Sequence, residues 1–317
     1  MRFLHSLVVV VCSLSSLALG KESPDGLLTQ GHADEAIALL NQQPNLGPAG
    51  EKDFLLCRAH FDVQDWNKAV SACQKAVSAD PGNTRYHLWL GRAYGEKADK
   101  SEFLAAASLA KKVHEEFETA IQLDPQNLDA RMDLAEFYIE APAIVGGGKS
   151  KAEAQLQAIQ ALDPVRAYQV KAMLAEKDKN YSAAEQDYRA AVNASHNKGL
   201  AWLNLGFFYK RLKQWEAMET ALQHAVAAPP DHPEVKMEAA ETLVRVDRDI
   251  PTAEKWLREY LSSDMVESAP AFKAYYWLGE AKEKEGDTAA AAQSYRTALT
   301  LASNYSPAQD ALHRLIR

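Results

Sequence analysis

The chain has 317 residues, 25% of them charged and 47% hydrophobic, the balance of an ordinary folded protein, which excludes both a disordered chain and one embedded throughout in a membrane. Acidic residues outnumber basic ones, 43 to 35, for a formal net charge of -8. That sign speaks against nucleic acid as the main partner, because phosphate binding needs a surplus of Lys and Arg.

Residues 1–20 read MRFLHSLVVVVCSLSSLALG, with Arg2 ahead of an apolar run from Leu7 and Ala18-Leu19-Gly20 as a small-x-small end. This is the pattern of a cleaved secretory signal peptide, too short and wrongly flanked for a spanning helix. The expectation is a mature chain, residues 21–317, that is periplasmic or secreted and does not insert in a membrane after cleavage. Val11 stands before Cys12 where a lipoprotein signal carries a small residue, which argues against lipid attachment.

From there the chain reads as helix pairs. Ser23 to Leu40 is a partial pair turned at Gly31, with Ala36 and Leu40 inward, and Asn41 to Gly50 is a Pro- and Gly-rich loop. The first complete pair carries Leu56 and Cys57 on its first helix and Ala69, Cys73 and Ala76 on its second, ending at Asp80-Pro81. For the two inward cysteines two readings stand: a disulfide joining the helices in an oxidising compartment, or two small buried hydrophobes. The histidines form no cluster with one another or with the cysteines, so no metal site is expected.

Residues 84–125 open with Leu90, Gly91 and Tyr94 and close through Phe117 and Ala120. The next pair runs through Leu134, Ala135, Tyr138, Ala152, Leu156 and Ile159 to Pro164. Ala172, Ala184, Tyr188 and Ala191 mark a fourth pair around the turn DKNYS. Trp202, Leu205, Gly206 and Tyr209, then Met218, Leu222 and Ala225, mark a fifth. A divergent sixth shows Ala240, Ala253 and Leu257, and the seventh has Leu278, Gly279, Gly286, Ala291, Tyr295 and Ala298. Residues 306–317, SPAQDALHRLIR, form a lone amphipathic capping helix.

The series Trp202-x-x-Leu205-Gly206-x-x-Tyr209, followed by small residues on a second helix, resembles the tetratricopeptide repeat, whose period is about 34 residues. The resemblance covers nearly all of the mature chain, in about seven units plus caps, and suits an exported bacterial protein of this type. Against that period, Pro81 to Pro125 is about ten residues too long, which predicts a lengthened second helix. Pro125 to Pro164 is about five too long, with the surplus in APAIVGGGKS, a loop insert near residues 142–150. The resemblance implies an all-α solenoid of about fifteen helices in a single domain. It also implies a non-catalytic scaffold that binds a protein or an extended peptide along a concave groove, with no cofactor. Packing residues specify neither the partner nor the oligomeric state.

Carrying the register of the first helices across the repeats places Arg58, Arg85, Trp89 and Arg92 at a basic, aromatic amino-terminal end of the groove. Asp129, Asp133 and Glu136 make an acidic centre; Asn204, Phe207, Lys210, Tyr276 and Trp277 make the carboxy-terminal end. Arg58 and Arg92, with Trp89 between, suit a ligand carrying an acidic group beside an apolar one. The alternative function is a nucleotide-binding enzyme using Ala143 to Ser150, AIVGGGKS, a relaxed phosphate-loop pattern in which Lys149 would reach phosphate oxygens and Ser150 would hold magnesium. A phosphate loop follows a strand of a parallel sheet, whereas this one follows a helical pattern.

Overall fold

A computed structural model describes residues 23–43, 46–229 and 232–316. The stretch read as a signal peptide, residues 1–20, lies outside the described residues. Among those described there are seventeen α-helices and no strand, an all-α solenoid.

The helices come in antiparallel pairs: α1 and α2 (Pro24–Thr29, Ala33–Gln42), α3 and α4 (Glu51–Asp62, Trp66–Ala79), α5 and α6 (Thr84–Asp99, Phe103–Leu123), and α7 and α8 (Leu128–Glu140, Lys149–Leu162). Then follow α9 and α10 (Pro164–Lys177, Tyr181–Ala194), α11 and α12 (Gly199–Arg211, Trp215–Ala227), α13 and α14 (Glu234–Arg245, Ile250–Leu261), and α15 and α16 (Ala271–Lys284, Thr288–Leu301). The last helix, α17 (Ser306–Ile316), stands alone. The two helices beyond the expected fifteen are α1 and α2: the stretch read as a partial repeat forms a complete, if short, hairpin.

Local chemistry starts these helices. Asp65, Asn127, Asn180 and Asp287 each accept a hydrogen bond from the backbone N–H three residues on, and Asp163 caps two amides ahead of Pro164. In three of the pairs the first helix meets its partner through a glycine facing a large residue. A Cβ on Gly206 would stand 2.9 Å from Leu222, and one on Gly279 would fall under 3.0 Å from the ring of Tyr295. No pair buries its apolar stripe alone, so the core runs on from pair to pair; one cluster extends from Ala172 to Ala281.

α6 has 21 residues, where the second helices of the other complete pairs have 12 to 14. Its additional turns lie at its amino-terminal end, beside the tip of α5. Between α7 and α8 the chain makes a short 3-10 turn, Ala143–Val145, and then the glycine run. Gly147 passes so close to the Ala141 carbonyl that any side chain would collide with it.

The array comes back on itself. Ala33 and Val63, from the first two pairs, share a buried cluster with Phe272, Ala302, Tyr305 and Ala308. The Ser303 amide donates to Asp34 at 2.8 Å, and a Cβ on Gly31 would press on Pro270 and Ala271. The amino-terminal hairpin therefore rests on the last repeat as well as on α3. α17 covers the other side of that repeat, with Ala311 in one cluster with Ala291 and Tyr295, and with Arg314 bonded to Glu280 and Glu283.

Candidate ligand-binding inner surface

The first helices, α3, α5, α7, α9, α11, α13 and α15, bring their exposed sides toward a common interior, and electrostatic contacts record how closely they approach. Lys273 on α15 acts on Glu96 of α5, on Asp62 of α3 and on Glu238 of α13. Residues from both ends of the sequence thus share one surface.

Arg58 requires a correction. Register alone makes it an exposed groove charge, but it is only 9% exposed and is spent on closure. Its Nε donates to Glu267 at 2.7 Å, a second guanidinium nitrogen also reaches Glu267, and the third bonds Asp25 at 2.7 Å. Arg92 stays on the inner surface, yet it too has an acid, donating to Asp133 at 2.6 Å with its guanidinium 5.7 Å from the Trp89 ring. Trp89 is half-buried edge-on against Phe54 and Phe61. Arg85 is exposed and lies 4.7 Å over Phe54. The structure does not make Arg58, Trp89 and Arg92 one surface awaiting an acidic ligand: each arginine already holds a carboxylate.

At the other end, Lys210 lies 4.8 Å over Phe207, and burial together with nearby Arg245 lowers its pKa from the usual range. Asn204 lines a cavity of about 320 Å³ with Arg166, Gln169 and His196. Trp277 is 7% exposed under the guanidinium of Arg245, 4.4 Å from its ring. Tyr276 packs against Trp277, Tyr295 and Tyr305. Both are chiefly packing residues, presenting edges rather than faces.

Sequence register missed the charges that give the interior its character: Glu96, Glu238, Glu241, Arg245 and Lys273. Burial pushes the carboxyls of Glu96, Asp133 and Glu136 up, helped in Glu96 by Asp99 and in Glu136 by Asp133. Glu238 is pushed up to about 7, by burial first and then by Glu241 and Glu234. Asp62, fully enclosed at the closing joint, is raised by burial against the pull of Lys273 and Arg58. Asp133 is paired with Arg92, whereas Glu96, Glu136 and Glu238 form no ion pair among the described residues.

The phosphate-loop reading is also corrected. The amides of Gly146, Gly147 and Gly148 donate to the carbonyls of Ala143, Pro142 and Tyr138, and Lys149 is paired with Asp178. No cradle of free amides exists there, and the loop follows α7 rather than a strand. Cys57 and Cys73 are joined between α3 and α4, with their Cα atoms 5.0 Å apart. Among the described residues no group of His, Cys, Asp and Glu is arranged to hold a metal ion, and no helix is long and apolar enough to cross a membrane.

No curated protein matches the sequence. Among solved structures the chain is similar to a tetratricopeptide repeat protein from Parabacteroides merdae, at 16% identity, 84% of this chain, 99% of that one and a TM-score of 0.43. It is similar to Cut9 with Hcn1 from an APC/C hetero-tetramer, at 14% identity, 93% of this chain, 54% of that one and a TM-score of 0.43. A monomeric mutant of IFIT1 with Gppp-AAAA gives 13% identity, 90% of this chain, 67% of that one and a TM-score of 0.50, which speaks to the fold alone. The family model described as tetratricopeptide repeat matches residues 165–197 and 272–305, which correspond to the α9–α10 and α15–α16 pairs. Those two segments are tetratricopeptide repeats, and the other helix pairs stack beside them in the same all-α solenoid.

Proposed function

We propose that the mature chain is an exported, non-catalytic scaffold whose inner surface binds an extended polypeptide segment carrying basic side chains among apolar ones. The observation that carries this reading is the set of inward acids without an ion pair among the described residues, Glu96, Glu136 and Glu238, all raised first by burial. A Lys or Arg side chain entering among them supplies an opposite charge, and the half-buried rings of Trp89 and Phe207 supply apolar contact. The same surplus of acid disfavours a nucleic acid at this surface. The leader-like residues 1–20 and the Cys57–Cys73 bridge support export to an oxidising compartment.

A peptide array probed with residues 21–317, followed by calorimetric titration of the best peptides, tests the reading. Binders should be enriched in Lys and Arg, and the double variant Glu136→Gln with Glu238→Gln should weaken them about tenfold or more. Binders that are predominantly acidic, or insensitive to that variant, would overturn it.

A further inference from the structure

The two places where the chain exceeds its repeat length meet in space. The amino-terminal turns of α6 and the 3-10 turn after α7 stand side by side, and between them lies an apolar hollow of about 570 Å³. Its floor is made small by Gly95, Ala106, Ala107, Ala110 and Ala141. At its rim stand Phe103, Leu104 and Ile144, which are 80%, 82% and 83% exposed. The other large apolar side chains exposed among the described residues, such as Leu162 at 40%, are about half as open and stand elsewhere. Such a patch is larger than scattered surface hydrophobes explain.

We propose that this patch is a two-fold interface through which two copies of the chain pair. A two-fold contact uses the same surface on both sides, so that surface must carry its own projections and its own recesses. Here both are present: the Phe103 and Leu104 side chains of one copy fit the alanine-floored hollow of the other. The charges agree. Asp99, Lys111 and Glu140 line the hollow and Lys100 and Glu102 adjoin it in the α5–α6 turn; of these only Glu140 forms an ion pair among the described residues, with Lys177. A rim of mixed sign complements a second copy of itself. A lipid surface rich in anionic headgroups would call for a rim of lysines, and a strongly charged protein partner for a rim of one opposite sign.

Sedimentation velocity on residues 21–317 over roughly 1 to 100 µM tests the pairing. The expected result is a monomer–dimer equilibrium within that range. Leu104→Asp and Ile144→Asp should each weaken it about 100-fold, while circular dichroism and melting stay unchanged because both side chains are exposed; Leu162→Asp should leave it intact. A chain that is monomeric throughout the range overturns the proposal, as does a dimer that survives both aspartate variants. Leu104-dependent sedimentation of a monomeric chain with phosphatidylglycerol vesicles would also overturn it and name a lipid surface as the occupant.

Discussion

The joint between the first and last helices is built differently from the joints between neighbours. Within the α11–α12 pair the contact is apolar and local, Gly206 beneath Leu222 and Ala221, between residues close in sequence. At the closing joint Arg58 meets Glu267 across 209 residues of chain, with Asp25, Asp62 and Lys273 around it and Val63, Phe272 and Tyr305 in an apolar cluster near by. Neighbour contacts can form pair by pair, as in any linear array. The joint forms only when the whole array is in place, and its charges are stranded if one partner is lost. Closure is therefore the cooperative part of this fold, and the repeats are its additive part.

The sharpest way to break that comparison is Arg58→Ala. It leaves Glu267 without its bonded cation, and Asp62 with Lys273 alone, in a place water scarcely reaches, and the expected loss is about 3–5 kcal/mol. Hydrogen exchange should locate the loss at the joint, with α2 and the end of α16 losing protection before α9 to α12. Arg92→Ala, whose pair with Asp133 is more exposed, should cost about 1 kcal/mol or less. Equal losses in the two variants would mean that the joint is no more than another surface ion pair.

Within the local part of the fold, the Cys57–Cys73 bridge closes a loop of 16 residues, and its reduction should cost about 3 kcal/mol. Mass measurement after alkylation without reductant checks the bridge itself, since two modified thiols would show it unformed. A smaller contrast separates two glycines. Gly279→Ala drives a methyl into the Tyr295 ring, which Glu280 and Glu283 hold by its hydroxyl, and should cost about 1–3 kcal/mol in thermal melting. Gly206→Ala meets only the end of the Leu222 side chain, which can turn aside, so the better helix propensity of alanine should bring the net change near zero.

The repeats were legible because one residue at each position decides a packing contact: Gly206, Ala172 and Gly279 admit a helix, and Leu222, Tyr188 and Tyr295 fill the space. Closure left no such trace. Register puts Arg58 on the inward side of α3 but cannot say that Glu267 will arrive there from the loop before α15, because nothing periodic links positions so distant. Register did read the acidic centre at Asp133 and Glu136, but it missed Glu238 and Arg245, which sit on the divergent sixth pair, where few packing residues anchor the register. The long α6 and the loop insert holding Ile144 were legible from the repeat spacing; that Phe103, Leu104 and Ile144 come together at one rim was not, because spacing along the chain does not say which surplus segments meet.

The smallest expected effect joins the interior to pH. The Glu238 carboxyl is pushed up to about 7 in the folded chain from an ordinary 4.5, raised by burial and by Glu241 and Glu234, and opposed by Lys273 and His232. A carboxyl raised on folding binds more protons in the native state than in the unfolded chain, so between those two values stability falls as pH rises and is regained on acidification. Asp62, Glu96, Asp133 and Glu136 shift in the same direction, as does His87, raised by Glu116; His60, lowered by burial, opposes them within this interval, and the carboxyls held low, Asp65, Glu185, Glu254 and Glu283, oppose them only below the ordinary carboxylate range. Melting should therefore rise as pH drops from about 8 to 5.5. Allowing for water in the interior, about 1 kcal/mol belongs to Glu238, or roughly 2–4 °C for a chain of this size. Glu238→Gln should be more stable than the parent at pH 8, equal to it near pH 5, and correspondingly flatter between. A melting temperature that falls over that interval, or a slope that Glu238→Gln leaves unchanged, would show that the interior acids are already neutralised by the protein, and with that the case for a cationic ligand would go.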